Sequence, residues 1–317
     1  MYKVSLQINL APSDYLLVRE TLKHQLKILS AQVDEILLVV ESKPSKGRFS
    51  AGWETYKEKL AEFLRQEIQP NKLVRVISVD YSLNTKKDVA RYFFGLDTMP
   101  DKDCRGGPFY AYFFGLMFAS NQLVFHLDAD MFLGGGSQHW VSEAADCIKN
   151  HDGCFTVSPL PGPPHPEDIL IRQSVRAKLA PYRYSLNGMS TRIFMINRSV
   201  FEQYKLKLRK PGFRDQIRAI FNGHPNADLP ENIISAYMDE HSFSRIDFLG
   251  SGKGLWSLHP PYRTKSFFDN LPQIINCIED GDLPYTQNGF YDIVDEVCDW
   301  SEARERLKNK RWWRRFK

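Results

Sequence analysis

Two aspartates lie two residues apart, at Asp128 and Asp130, directly after the apolar run QLVFHL. Carboxylates at the end of a buried strand are costly unless a cation neutralises them, and Mg²⁺ and Mn²⁺ prefer carboxylate and phosphate oxygens as ligands. The pair therefore indicates a divalent metal site that also binds a phosphate-bearing substrate. The alternative interpretation is a solvated turn with two ordinary acids, since short motifs recur by chance.

The segments before this pair alternate between strand patterns, which are continuous apolar runs, and helix patterns, which have apolar residues at helical spacing. The predicted strands are residues 4–10, 35–40, 73–79 and 122–127. The predicted helices are residues 14–30, 53–68 and 109–119, with Ser13 or Asp14 as the N-cap of the first. This alternation predicts an α/β domain with a mostly parallel sheet covered by helices, in which ligands bind at the carboxyl ends of the strands.

The second half of the chain has a less regular pattern. A proline-rich stretch at 159–166, PLPGPPHP, predicts a loop, and Pro230 precedes a predicted helix over 231–240. The predicted strands in this half are residues 154–158, 192–197 and 245–249.

The segment FHLDAD at 125–130 resembles the "flDaD" segment of GT-A-fold nucleotide-sugar glycosyltransferases, especially the large inverting family 2. The likeness extends upstream to RGGP at 105–108 and to RETL at 19–22. Downstream, Glu231 begins a helix after a proline, and His259 follows 28 residues later. The resemblance covers about residues 3–262, and the ordered set of DxD, Glu and His is more specific than DxD alone.

The resemblance implies roles for the metal-binding and catalytic residues. In the family the DxD motif binds a divalent cation that bridges the donor diphosphate, so Asp128, Asp130 and His259 would hold Mn²⁺ or Mg²⁺. Glu231 would act as the general base on the acceptor hydroxyl, since a carboxylate within hydrogen-bond reach suits that task. From the residues alone, a Glu in a first helical turn is also favoured by the helix dipole, and a lone His is more often structural.

Four further residues are candidates for donor binding, in addition to Asp128. Glu41 follows the second strand, where the family usually has an Asp that contacts the nucleotide, and Asp80 ends the third strand. Arg105, beside two glycines, could pair with a diphosphate in bidentate fashion. Trp256 offers an aromatic face for a sugar. The alternative interpretations of the first three are a solvated strand-end acid, a turn acid and a surface arginine.

The charge is unevenly distributed along the chain. The whole sequence of 317 residues has a net charge of +4, but residues 301–317 alone carry +6 and the other 300 carry −2. The body is therefore not expected to bind nucleic acid, which requires basic residues spread over a domain face. The tail combines its basic residues with Trp312, Trp313 and Phe316. It fits an anionic membrane surface, but a solvated helix end packed on the body, or a mobile tail, is favoured over it, and RNA binding is a weaker third interpretation.

Cysteine use and hydropathy indicate a cytoplasmic protein, with membrane association through the tail left open. The five cysteines are scattered, without a CxxC pair, which favours a reducing compartment over a disulfide framework. The first residues lack the apolar core of a signal peptide. The longest apolar stretch, at 109–119, is about half of what a membrane span needs.

Together these features predict a GT-A-like, Rossmann-like glycosyltransferase domain over residues 1–262 and a helical C-terminal extension over 263–317. The predicted activity is metal-dependent transfer of a sugar, with inversion, from a UDP- or GDP-linked donor to a hydroxyl of a saccharide or lipid-linked acceptor. The alternatives are a nucleotidyltransferase, which usually carries a Gly-rich basic loop after its first strand, and a non-catalytic nucleotide-sugar-binding protein. The sequence identifies neither the sugar nor the acceptor, nor the oligomeric state.

Overall fold

The structure is a computed structural model that describes residues 2–44 and 51–312, with side chains up to residue 309. The strands are β1 (Val4–Leu10), β2 (Glu35–Val40), β3 (Val74–Ser78), β4 (Leu123–Asp128), β5 (Phe132–Gly134), β6 (Cys154–Pro161), β7 (Val175–Ala180), β8 (Arg183–Leu186), β9 (Ile193–Asn197), β10 (Ser244–Phe248) and β11 (Trp256–Leu258). The helices are α1 (Tyr15–Leu29), α2 (Trp53–Phe63), α3 (Leu83–Phe94), α4 (Tyr110–Phe118), α5 (Trp140–Asn150), α6 (Val200–Gln203), α7 (Phe213–Asn222), α8 (Pro230–Glu240), α9 (Lys265–Asp269), α10 (Leu271–Asp280) and α11 (Ser301–Trp312).

One mixed sheet runs through the molecule in the order β3-β2-β1-β4-β9-β6-β10-β8-β7. Among these strands of the described chain, β9 and β8 alone run opposite to the rest. The short strand β11 pairs antiparallel with β5 and parallel with the end of β6. The predicted α/β class, a mostly parallel sheet covered by helices, is confirmed.

The central strands β1, β2 and β4 are largely buried because helices cover both faces of the sheet. On one face Leu6 and Ile8 of β1 belong to a core cluster with Trp140 of α5. On the other face Leu37 of β2 belongs to a cluster with Phe113 of α4. The carboxyl ends of β1, β2, β3 and β4 therefore share one edge, and the amino end of β9 joins them because β9 is antiparallel to β4.

The predicted helix over 53–68 has the predicted bounds; it is α-helical to Phe63 and continues as a π turn, Leu64–Ile68. The bounds of the predicted proline-rich loop are wrong. The proline-rich stretch is not a loop from its start, since β6 extends to Pro161. The amides of Leu160 and Gly162 donate to the carbonyls of Leu255 and Ser257, so the prolines occupy the positions that need no donor.

The segment after residue 262 is helical and packs on the body of the protein. Phe267, Ile274 and Trp300 join Leu17 and Phe132 in a third core cluster. Residues 313–317 of the predicted membrane-binding tail lie outside the described residues. No helix within 2–44 and 51–312 is long and apolar enough to cross a membrane.

Candidate active site

Asp130 lies in the turn between β4 and β5, with its carboxylate largely buried. Nη2 of Arg263 donates to its Oδ2 at 2.8 Å, and Nε2 of His259 lies 3.7 Å from the same oxygen. Burial by itself raises the pKa of Asp130, but Arg263 and His259 outweigh it and hold this pKa below its usual value. The carboxylate is therefore ionised at neutral pH.

The His259 ring is held in one orientation by its neighbours. Its Nδ1 lies 3.1 Å from Oδ1 of Asp292, and the ring is nearly parallel to that of Tyr291, at 8°. Asp292 therefore holds the ring at Nδ1, and Nε2 lies on the side of Asp130, 3.7 Å from its Oδ2. A carboxylate that orients the far nitrogen of a histidine is typical of metal-binding histidines.

Arg263 links Asp130 to Asp14, a pairing that the sequence analysis missed. Nη1 of Arg263 donates to Oδ1 of Asp14 at 2.5 Å. Asp14 is the N-cap residue of α1, as predicted, but its side chain makes no capping hydrogen bond and instead accepts from Arg263. Burial raises the pKa of Asp14, even with Arg263 and despite its helix-start position. One signal was present in the sequence: Asp14 follows β1 at the same edge of the sheet.

Asp128 ends β4, and its side chain is 39% exposed. Its Oδ1 lies 3.3 Å from Nε2 of His126, and its backbone N–H donates to the carbonyl of Arg192 at 2.7 Å. Burial lowers the pKa of the Arg192 guanidinium, but Tyr291, Asp130 and Asp128 raise it above its usual value. One cation of the chain therefore lies beside both aspartates of the motif.

The donor atoms fit a divalent cation only in part. Within 2–44 and 51–312, no three His, Cys, Asp or Glu side chains converge as a complete metal site. Asp130 and His259 do form a pair of possible metal ligands, since Nε2 and Oδ2 lie 3.7 Å apart, beyond hydrogen-bond distance. Cations that act on nucleotides commonly take one or two carboxylates from the protein and the remaining ligands from phosphate and water. The pair fits this kind of incomplete protein ligand set.

Glu231 lies in the first turn of α8, where the sequence predicts it. Its Oε2 is 3.5 Å from Oγ1 of Thr191, the residue before Arg192. Burial raises the pKa of Tyr112 well above its usual value, and the charges of Asp128 and Glu231 add to the effect. Tyr112 is thus near both acids, and its hydroxyl has no hydrogen-bond partner within the described residues.

The carboxylates of Glu41 and Asp80 are both occupied by groups of the protein. Glu41 accepts from Tyr81 at 2.9 Å and from Lys102 at 2.6 Å, and also from two backbone amides. Asp80 accepts from the amide of Ser82 at 2.8 Å and from Oγ1 of Thr85 at 2.6 Å. These hydrogen bonds stabilise the end of β2 and the start of α3.

Arg105 and Trp256 have contrasting environments. Arg105 is exposed in a loop whose amides bind the carboxylate of Asp103. Trp256 is 4% exposed, and its indole lies directly on Gly134, where an added Cβ would come within 2.1 Å of the ring. The indole is therefore part of the core, and Trp256 is not part of the proposed site.

No family model matches the chain, and no curated protein matches it at a significant level. The fold is similar to that of glucosyl-3-phosphoglycerate synthase from Mycobacterium tuberculosis, crystallised with Mn²⁺, UDP and glucosyl-3-phosphoglycerate. The identity is 10%, the TM-score is 0.38, and the match covers 87% of this chain and 78% of the other. An active-site mutant of LgtC matches at 8% identity and a TM-score of 0.35, covering 74% and 70%. S. aureus TarS matches at 11% identity and a TM-score of 0.36, covering 90% and 67%.

These similar structures are GT-A glycosyltransferases, the group that the sequence motifs resemble. Their identities are at most 11% and their TM-scores are below 0.4. The function is therefore inferred from this chain's own residues.

Proposed function

We propose that the chain is a metal-dependent glycosyltransferase that moves a sugar from a nucleoside-diphosphate sugar to a hydroxyl acceptor with inversion. The observation that carries the proposal is the pair formed by Asp130 and His259. Asp292 orients the His259 ring through Nδ1, and Nε2 lies 3.7 Å from the Asp130 carboxylate, at the carboxyl edge of a mostly parallel sheet. Ligands of open α/β sheets bind at this edge.

Asp130 and His259, with Asp128, would hold Mn²⁺ or Mg²⁺. When bound, the cation would neutralise charge that develops on the leaving diphosphate. Arg263 keeps Asp130 ionised and oriented by donating to its Oδ2. Arg192 adjoins both aspartates, so its guanidinium is suited to donate to a diphosphate oxygen.

Glu231 is the proposed general base. Its carboxylate lies at the start of α8, and its charge, like that of Asp128, adds to the raised pKa of Tyr112, which supports a role on the metal-binding side of the site. An acceptor hydroxyl bound next to Glu231 would lose its proton to this carboxylate as it attacks the anomeric carbon. Direct displacement of the diphosphate by that hydroxyl inverts the anomeric centre.

The remaining parts of the proposal concern the nucleoside side, the acceptor and the location. Glu41, Asp80 and Arg105 remain predicted donor contacts; the first two would need oxygens that now accept hydrogen bonds within the protein. The donor is proposed to be UDP- or GDP-linked and the acceptor a saccharide or a lipid-linked molecule. All five cysteines are free thiols, which is compatible with the proposed cytoplasmic location.

The direct test is release of nucleoside diphosphate from a panel of UDP- and GDP-sugars with Mn²⁺. Glu231→Gln should retain donor binding and lose transfer. Glu240→Gln is the matched control, because Glu240 lies at the other end of α8 and pairs with Lys207. Full activity of Glu231→Gln would remove Glu231 as the base.

Two other functions would be recognised by different measurements. A nucleotidyltransferase would release pyrophosphate from a nucleoside triphosphate and a sugar phosphate. A non-catalytic binding protein would show a metal-dependent thermal shift with UDP or GDP and no turnover. The absence of both turnover and shift with every donor would contradict the glycosyltransferase proposal.

A further inference from the structure

Helix α7 exposes large apolar side chains to solvent. Phe213 is 76% exposed, Ile217 39%, Ile220 72% and Phe221 85%. Single exposed apolar residues are ordinary on a protein surface, but a contiguous group of them indicates an interaction site. We call these four residues the α7 apolar face.

The four residues lie on one side of the helix because their spacing is i, i+4, i+7 and i+8. Ala219, on the opposite side, is fully buried. The helix therefore rests on the body through a small residue and directs its apolar face outwards. An amphipathic helix normally buries such a face, so this orientation is the reverse of the one that packing within the chain would favour.

Basic residues surround the α7 apolar face. Residues 205–218 contain six Lys or Arg and a single acid, Asp215, which is a net charge of +5. Residues 1–300 as a whole carry −2, so the rest of them carries −7. None of Arg209, Lys210 and Arg214 forms an ion pair with a described residue. The positive charge of the body is thus concentrated where the apolar face is exposed.

We propose that the α7 apolar face docks on an anionic lipid surface, with the helix lying in the plane of the interface. The phenylalanines and isoleucines enter the boundary between headgroups and acyl chains, and Arg209, Lys210 and Arg214 contact lipid phosphates. A lipid surface matches the two observations together, because it offers apolar depth next to dense negative charge. The net negative charge of the remaining body orients the molecule with α7 towards the surface.

This surface differs from the basic tail at 301–317 and does not depend on the proposed reaction. Seven residues, 223–229, join α7 to α8, which carries Glu231 in its first turn. The helix proposed to dock on lipid is therefore next in sequence to the helix that carries the acceptor side of the proposed site.

The test is cosedimentation of the full-length chain with phosphatidylcholine vesicles that contain or lack phosphatidylglycerol. The wild type should sediment with the anionic vesicles, and less so as salt is raised. Phe213→Ser with Phe221→Ser should lower the bound fraction by about tenfold, because each residue loses most of its buried apolar area. The tail is present in both proteins and cannot account for a difference between them.

Leu83→Ser is the matched control, since Leu83 is also 85% exposed but begins α3. It should bind vesicles like the wild type. Equal melting temperatures of all variants would exclude misfolding as the cause, and unfolding is not expected at such exposed positions. Replacing Arg209, Lys210 and Arg214 by Gln should reduce binding to anionic vesicles only.

Two results would overturn the proposal. One is equal sedimentation of the wild type and the Phe213→Ser, Phe221→Ser variant with anionic vesicles at low salt. The other is a lipid-free dimer of the wild type, measured by light scattering, that the same double variant converts to a monomer while vesicle binding is unchanged. The second result would assign the α7 apolar face to a contact between two copies of the chain.

Discussion

Two pairs of acids lie along the same edge of the sheet, and their environments differ. Glu41 and Asp80 follow β2 and β3, and their oxygens meet hydrogen-bond donors of the protein. Asp128 ends β4 and is partly exposed, and Asp130, in the turn that follows, lies 3.7 Å from Nε2 of His259. The first pair completes local structure, whereas the second has capacity left for a ligand.

The difference is one of partner chemistry. A carboxylate that meets N–H and O–H groups is satisfied, and adding a cation would cost it those hydrogen bonds. Asp130 Oδ2 and His259 Nε2 are 3.7 Å apart, beyond hydrogen-bond distance, so a cation between them would gain both as ligands without breaking a hydrogen bond of this pair. The position of an acid at a strand end therefore does not identify a binding residue until its partners are known.

The largest effect is expected from Asp130→Asn, which removes the charge and keeps the shape of the side chain. Activity in the nucleoside diphosphate assay should fall by about 10²–10³-fold, the usual loss when a group that stabilises developing charge is removed. The melting temperature should change little, because Arg263 keeps Asp14 as a partner. Activity within about threefold of wild type would contradict the contrast between the two pairs.

The next largest effect is expected from Arg263→Ala on stability. The substitution leaves Asp14 and Asp130 close together without their shared cation, and should lower the free energy of unfolding by about 2–3 kcal/mol at neutral pH. The value is below that of a fully buried pair because the Arg263 side chain is 39% exposed.

Urea denaturation measures this loss, with Arg304→Ala as the control. Arg304 forms an exposed pair with Asp295, so its removal should have no measurable effect. Equal stability of the two variants would show that Arg263 does not hold the site together.

Glu41→Gln should have a smaller effect, and on stability only. Lys102, which is mostly buried, loses its charged partner, and the free energy of unfolding should fall by about 1–2 kcal/mol. The kcat for sugar transfer should stay near that of the wild type if Glu41 only stabilises the end of β2. If the free energy of donor binding falls by more than the free energy of unfolding, the result would instead support the prediction that Glu41 contacts the nucleotide.

The smallest effect is expected from Asp80→Ala, which removes acceptors from the start of α3. Hydrogen bonds from Thr85 and Ser82 hold the pKa of Asp80 below its usual 3.8. A depressed folded-state pKa stabilises the protein above pH 3.8, and this contribution is lost as pH falls through the folded-state value. The difference in melting temperature between wild type and variant should therefore shrink in acid; a constant difference would exclude the ionised carboxylate as the cause.

The local sequence pattern was sufficient to predict much of the sheet and the position of the DxD motif. The bounds of β1 and β2 agree with the predicted 4–10 and 35–40, because continuous apolar runs of that length fit strands buried on both faces. α3 and α5 were missed; α3 is amphipathic but begins in a polar segment, LNTKKD. The exposed apolar face of α7 also went unrecognised, since periodicity shows that a helix has two faces but not which of them packs.

The sequence by itself determined the α/β class, the place of Asp128 and Asp130 at a strand end, and the candidates Glu231 and His259. Tertiary structure alone decided which acids share a site. Arg263 lies 133 residues from Asp130, and Asp292 lies 33 residues from His259. Such contacts arise where distant segments pack on the same sheet edge. Their energies depend on distance, burial and proton position, and none of these quantities is encoded in local spacing.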